Sequence, residues 1–212
     1  MKSKKISELQ AFLTILFVTC YVVSNIIVGK TVSLPFGLTT TGAIFTIPMT
    51  YVLSDVFSEC YGYRWSRITC YIAFAMSFME AMVAQLVIMS PFPAYYDGQA
   101  ALAAVLGNTP RILIASMAAY VLGDLANDKV FAKFKAKHEG MDGFKARAFL
   151  SSVAGEFIDC LVFYPFALGG IVPSDQLVMV AATQIVAKLC YEVLILPLTE
   201  QVAKRVNAYE AD

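Results

Sequence analysis

The amino-acid sequence predicts an all-α integral membrane protein, a bundle of six transmembrane helices with both termini in the cytoplasm. Composition is the first observation: 58% of the 212 residues are hydrophobic and only 15% are charged. Soluble domains have roughly 45–50% apolar and about 25% charged residues. The second observation is a series of apolar stretches, each near the roughly 20 residues that a bilayer-spanning helix needs. The third is the one-sided distribution of basic residues. We predict a single transmembrane domain over residues 1–212.

The predicted spans are separated by polar breaks that contain Gly, Pro or clustered charges. They cover residues 9–28, 42–62, 67–90, 110–128, 148–170 and 177–201. Backbone groups in lipid must be hydrogen-bonded internally, and these segments are too long for barrel strands, so helices are expected. The first stretch lacks a small-residue cleavage site and is interpreted as a retained span. An Ala-rich stretch at 97–107 is compatible with a short extra helix, which the sequence does not decide.

Basic residues predict the orientation, because cytoplasmic loops of membrane proteins are enriched in Lys and Arg. With the N-terminus inside, every Lys and Arg lies on the cytoplasmic side except Lys30, Arg111 and Lys188. The first two would lie near the outer face, and Lys188 would lie within the last span. Both termini are therefore expected to be cytoplasmic.

Charge and the content of Cys and His exclude several classes of protein. The chain has 16 basic and 16 acidic residues and a formal net charge of zero, which argues against a nucleic-acid-binding protein. The five cysteines form no C-x-x-C pair, and the one histidine, His138, lies in a Lys-rich loop. We therefore predict neither a metal site nor a cofactor.

Acidic residues within the apolar spans are the main functional signal. The stretch YVLSDVFSECYG, residues 51–62, carries two carboxylates one helical turn apart. Five acidic residues are expected roughly 13–20 Å from the nearest cytoplasmic basic residue, at about 1.5 Å of rise per residue. They are Asp55, Glu80, Glu156, Asp159 and Glu192. Each charge facing lipid would cost at least about 2.5–3.5 kcal/mol, so these side chains must face protein or a wet cavity.

Helical spacing groups these residues on shared faces. Glu156 and Asp159 are separated by three positions, and Gln184, Lys188 and Glu192 follow one another at intervals of four. A buried pair between Lys188 and one of the acids is a purely structural alternative. One lysine cannot neutralise five carboxylates, however, so the others are expected to be protonated, to bind a cation or to accept hydrogen bonds from a ligand.

Two segments share the pattern Leu-x-Asp-x-x-x-acid, LSDVFSE at 53–59 and LGDLAND at 122–128. Both run from outside to inside in the predicted topology, as two copies of an internal repeat would. Glu59 lies near a cytoplasmic end, where ordinary interfacial pairing is the simpler interpretation. Together with Glu80 and Asp124, it is nevertheless a candidate for ion or proton coupling, a function that carboxylates within membranes often have.

Five blocks resemble the queuosine precursor transporter family, a branch of the vitamin uptake transporter group. They are SNIIVGK, PMTYVLSDVFSECYG, LGDLANDKVF, AGEFIDCLVFYP and AKLCYE, in this order along nearly the whole chain. The resemblance implies import of a 7-deazaguanine, such as 7-cyano-7-deazaguanine, its aminomethyl form or queuine, in the salvage of a tRNA modification. It also implies a multi-pass protein of the cytoplasmic (inner) cell membrane.

That substrate class suggests functions for the polar residues. Ionised carboxylates only accept hydrogen bonds, so Glu156, Asp159 and Asp55 are expected to hold the donor edge of the base. Lys188 would keep the acids in register, with Glu192 on the same face. Asn25 and Gln184 would bond the carbonyl edge. Aromatic side chains for stacking on the base would come from Phe157, Phe163 and Tyr191.

Three other functions are alternatives to a stand-alone transporter. A substrate-binding subunit of an energy-coupling-factor vitamin importer is the main alternative, but the first span lacks the Ala-x-x-x-Ala pattern used to dock the ATPase module. An intramembrane aspartyl protease would need Gly-x-Gly-Asp, which LGDLAND lacks, so no enzyme is predicted. A carboxylate-lined channel is the third. Expected partners are the small-molecule substrate and membrane lipid, not nucleic acid, and the sequence leaves a homodimer open.

Overall fold

A computed structural model describes the backbone of residues 6–137 and 144–211, with most side chains in these ranges. Its elements are, in chain order, helix α1 (Glu8–Ile27), strands β1 (Thr31–Ser33) and β2 (Thr39–Thr41), helix α2 (Ile47–Val56), a π-helical turn (Phe57–Tyr61), and helices α3 (Tyr63–Met89), α4 (Gln99–Leu106), α5 (Thr109–Lys137), α6 (Phe144–Leu168) and α7 (Ser174–Ala211). Short 3-10 turns lie at Pro35–Gly37 and Gly42–Phe45.

The architecture is that of an all-α membrane protein. Within the described residues, three helical stretches are long and apolar enough to cross a bilayer, Glu8–Ile27, Arg64–Met89 and Gln99–Asn127. The prediction of an all-α integral membrane protein is confirmed at this level. The count of six spans, the cytoplasmic termini and the single domain stay predictions.

Most predicted spans coincide with a helix, and two helices are longer than expected. α5 continues past the predicted end at 128 to Lys137, and α7 continues past 201 to Ala211. The α5 extension is rich in Lys and the α7 extension in Ala, and both residues are strong helix formers even outside lipid. The Ala-rich stretch after 97 does form a short helix, α4.

The second predicted span, 42–62, is not one continuous α-helix. It starts with a 3-10 turn, continues as the ten-residue α2 and ends in the π-helical turn Phe57–Tyr61. Pro48 lies in the first turn of α2. Backbone N–H groups there have no partner within the helix, so the missing N–H of proline costs no hydrogen bond. Gly62 then adopts φ +86°, which favours glycine, and separates the π-helical turn from α3.

The first of two compact units is built around α1, α2 and α3. It comprises Met1–Lys30, Thr41–Thr109 and Tyr191–Asp212. Leu13 and Phe17 of α1 pack with Val56 and Phe57 in its core, and Phe17 meets Phe57 edge to face with ring centroids 5.9 Å apart. These apolar contacts fix the α2 segment against α1.

The second unit comprises Thr31–Thr40 and Pro110–Cys190. It contains most of the β1–β2 hairpin, most of α5, α6 and the first half of α7. Arg111, at the start of α5, donates from Nε to the Phe166 carbonyl at 2.7 Å and from Nη2 to the Gly169 carbonyl at 2.6 Å. These bonds satisfy carbonyls at the C-terminal end of α6, which a helix itself leaves unpaired. The chain then turns into α7 through Gly170, whose φ is +79°.

Candidate functional site

An ion-paired cluster in the second unit joins α6 to α7. The Lys188 Nζ lies 2.5 Å from Glu156 Oε2 and 2.9 Å from Asp159 Oδ2. The Lys188 side chain is 10% exposed, whereas the side chains of Glu156 and Asp159 are 25% and 30% exposed. One nearly buried ammonium therefore bridges two partly accessible carboxylates, a pairing of Lys188 that the sequence analysis gives as a purely structural alternative.

The two acids share a face of α6 because they are three residues apart. A close helix crossing lies beside them: a Cβ on Gly155 would come within 3.0 Å of the Gly123 carbonyl oxygen, and a Cβ on Gly123 equally close to the Gly155 carbonyl oxygen. The same Cβ on Gly123 would lie 3.2 Å from Asp159 Cβ. The absence of side chains at both glycines thus lets α5 approach α6 at the level of the carboxylate pair.

Each carboxylate uses only one oxygen for Lys188. Among the residues that the structure describes, Glu156 Oε1 and Asp159 Oδ1 have no hydrogen-bond partner. An ionised carboxylate oxygen is an acceptor only. The pair therefore presents two acceptors, on partly exposed side chains, to any ligand that carries adjacent donors.

Cys160, which the sequence analysis does not single out, completes this cluster. One carboxylate oxygen from each of Glu156 and Asp159 and the Cys160 Sγ lie within 4.8 Å of one another. Such a set has the composition of a cation site, but the Lys188 ammonium already lies against both carboxylates and would repel a metal ion. Organic donors suit the arrangement better. Cys160 follows Glu156 by four positions, and this spacing in the sequence indicates that both side chains lie on the same face of α6.

Gln184 lies one helical turn before Lys188 and is 2% exposed. Its Nε2 donates a hydrogen bond to the Oγ1 of Thr40, a fully buried residue of strand β2. This bond holds the hairpin against α7. Its acceptor, Thr40, is a residue that the sequence did not single out. A run of threonines at 39–41 gave no pattern by which one of them could be chosen.

Asn25, Asp55, Glu59 and Glu80 belong to the first unit, so their predicted participation in one site with the α6 and α7 residues stays a prediction. Asn25 is buried, and its Nδ2 donates to Ser77 Oγ at 3.2 Å. Glu80, three residues further along α3, is half-buried. Asp55 and Glu59 are exposed, on α2 and on the π-helical turn.

Of the remaining predicted site residues, some lie on helices of the second unit and others have side chains that the structure does not describe. Asp124 follows Gly123 on α5 and is half-buried. Phe157 is exposed, and Phe163 meets Tyr164 edge to face at a centroid distance of 5.2 Å. The side chains of Glu192 and Tyr191 lie outside the described set, so their predicted functions are not tested.

The chain is similar in sequence to known proteins. Residues 41–202 match the family described as "Putative vitamin uptake transporter". A protein of Bacillus subtilis (strain 168) named "Probable queuosine precursor transporter" is 26% identical over 204 residues, covering 96% of this chain and 87% of that protein. No solved structure matches the chain.

Proposed function

Because the chain belongs to the vitamin uptake transporter family, we propose that it imports a queuosine precursor, a 7-deazaguanine, across the cytoplasmic membrane. The name of the Bacillus subtilis relative supports this substrate class. The observation that carries the proposal is the Lys188-bridged pair of Glu156 and Asp159 in the second unit. No catalytic function is part of the proposal.

The carboxylate pair is the proposed centre of substrate binding. A 7-deazaguanine carries hydrogen-bond donors, on the edge of its base and, in the amine-bearing compounds, on its side chain, and Glu156 Oε1 and Asp159 Oδ1 are the acceptors available to a ligand. Hydrogen bonds to charged groups contribute about 1.5–3 kcal/mol each, so a compound without such donors is rejected. Lys188 holds both carboxylates in position, and Gln184 lies one turn away on the same face of α7.

Six spans with cytoplasmic termini are the proposed topology. In this orientation the β1–β2 hairpin and Arg111 lie on the outer side and the segment around His138 on the inner side. Reporter fusions after 98, 140 and 212 test it. Cytoplasmic reporter activity at 140 and 212 but not at 98 is expected, and activity at 98 would contradict the topology.

Glu80 is the proposed proton carrier, since it is half-buried on α3 close to the Asn25–Ser77 hydrogen bond. Asp124 and Glu59 are the other candidates for coupling. If Glu80 carries the proton, the Glu80→Gln variant binds substrate normally but no longer accumulates it against a gradient. Accumulation at the normal level by this variant would remove Glu80 from the mechanism.

Uptake of labelled 7-deazaguanines by proteoliposomes that contain only the purified full-length chain tests the proposed function. Uptake by the chain alone is expected, with strong loss in Glu156→Gln and normal uptake in Asp97→Asn, which removes an exposed carboxylate between α3 and α4. Uptake that needs a copurified ATPase partner would favour the substrate-binding subunit instead. Ionic current without solute uptake would favour a channel.

A further inference from the structure

We propose, on the basis of the proposed function, that the Glu156–Asp159–Lys188 cluster selects a positively charged ligand, an amine-bearing 7-deazaguanine, and that the ligand's ammonium group lies against the carboxylate pair. The uncharged cyano compound is then a poor ligand. This assigns a substrate subclass and an orientation of the ligand in which the ammonium group, not the donor edge of the base, lies against Glu156 and Asp159.

The charge of the cluster supports this selection. Two carboxylates meet one ammonium within 2.9 Å, and a thiol such as Cys160 adds no charge at neutral pH. The described side chains of the cluster therefore carry one net negative charge.

Among the side chains of the second unit that the structure describes, the other basic groups do not supply the missing charge. Arg111 is bound to the carbonyls of Phe166 and Gly169, and Phe166 lies about 15 Å along α6 from Glu156 at the usual helical rise. Lys129 and Lys133 of α5 are exposed. A net charge in a partly desolvated site is costly unless a ligand balances it.

A ligand ammonium balances this charge, whereas the donor edge of a neutral base does not. A primary alkylamine is protonated at pH 7, as the side chain of lysine is. Its donors can reach Glu156 Oε1 and Asp159 Oδ1, while Lys188 holds the Oε2 and Oδ2 atoms. The two carboxylates then lie between two ammonium groups, that of Lys188 and that of the ligand. The four charges sum to zero. Queuine, which bears a secondary amine, belongs to the same class.

Dissociation constants of the purified full-length protein for four compounds test this inference. They are the aminomethyl compound, its hydroxymethyl isostere, the cyano compound and guanine. We expect the aminomethyl compound to bind at least roughly tenfold more tightly than the isostere, which has a similar shape and no charge. In Asp159→Asn, which removes the net charge, the ratio should fall towards one, whereas Asp97→Asn should keep the normal ratio.

The outcomes separate this inference from the proposed function. If the hydroxymethyl or cyano compound binds as tightly as the aminomethyl compound, the charge selection is wrong and the transporter assignment stands. If the ratio in wild-type protein is high but unchanged in a folded Asp159→Asn variant, the ammonium is bound elsewhere and the inference is overturned. If none of the deazaguanines binds to folded protein, the proposed function itself fails.

Discussion

The Lys188 ammonium donates a hydrogen bond to Asp159 Oδ2 at 2.9 Å, joining α7 to α6 within the second unit. Glu156 Oε2 lies 2.5 Å from the same ammonium. This contact organises the proposed binding site, because it fixes one oxygen of each carboxylate and leaves the other for a ligand. The contact should stabilise the folded protein because the Lys188 side chain is only 10% exposed to solvent.

Replacing Lys188 by Met should destabilise the protein, since two carboxylates would be left close together without their cation. We expect a loss of about 2–3 kcal/mol, below the ~3–5 kcal/mol of a fully buried pair because water reaches the acids. Thermal unfolding in detergent measures it. Adding Asp159→Asn to Lys188→Met should recover part of the loss. As a control, Lys129→Met removes an exposed lysine of α5 and should change stability little. Wild-type stability of Lys188→Met would contradict the ion-paired cluster.

Replacing Gly155 by Ala should separate α5 from α6, because the new methyl group would meet the Gly123 carbonyl oxygen at 3.0 Å. Such overpacking costs about 1–3 kcal/mol. Ligand affinity should fall as well, since Glu156 is the next residue. Gly29→Ala is the matched control, because no atom lies within 4 Å of a Cβ at that position. Equal melting temperatures of the two variants would show that the helices do not approach closely at Gly155.

Thr40→Val keeps the shape of the side chain and removes the acceptor of the Gln184 Nε2 hydrogen bond. Both residues are buried, so a lost partner is not replaced by water, and a cost of about 1–3 kcal/mol is expected. Thr31→Val, in an exposed position of the same hairpin, should be close to neutral. Chemical denaturation of the two variants in parallel is the measurement. A larger effect at Thr31 than at Thr40 would refute the buried contact.

Arg111→Met removes the two bonds to the carbonyls of Phe166 and Gly169. Hydrogen bonds from a charged donor contribute about 1.5–3 kcal/mol, so the melting temperature should fall clearly. Arg111→Lys should restore only part of it, because an ammonium lacks the planar fork of a guanidinium. Arg205→Met removes an exposed arginine and provides the control. Full stability of Arg111→Met would mean that α6 ends without this cap.

Composition and spacing predict the helical membrane architecture well, because a bilayer imposes segment length and apolarity directly. They also place Glu156 beside Asp159 on one face of a helix, since an interval of three is a geometric fact, but they do not decide which acid Lys188 of the next helix pairs with. They do not predict Thr40 as the partner of Gln184, a contact between residues far apart in the chain. Nor do they predict the π-helical turn at Phe57–Tyr61, because its hydrogen bonds join residues five apart instead of four and a five-residue turn shows no distinct apolar period.

Ligand-dependent thermal stabilisation of the purified protein is the most direct test of substrate binding by the carboxylate pair. A 7-deazaguanine at 100 times its dissociation constant should add about 2.7 kcal/mol to the stability of the folded protein. We predict a shift with a 7-deazaguanine, its loss in Glu156→Gln, and its retention in Asp97→Asn. A shift of the same size in wild type and Glu156→Gln, or none with any 7-deazaguanine in folded wild-type protein, would contradict substrate binding by this pair.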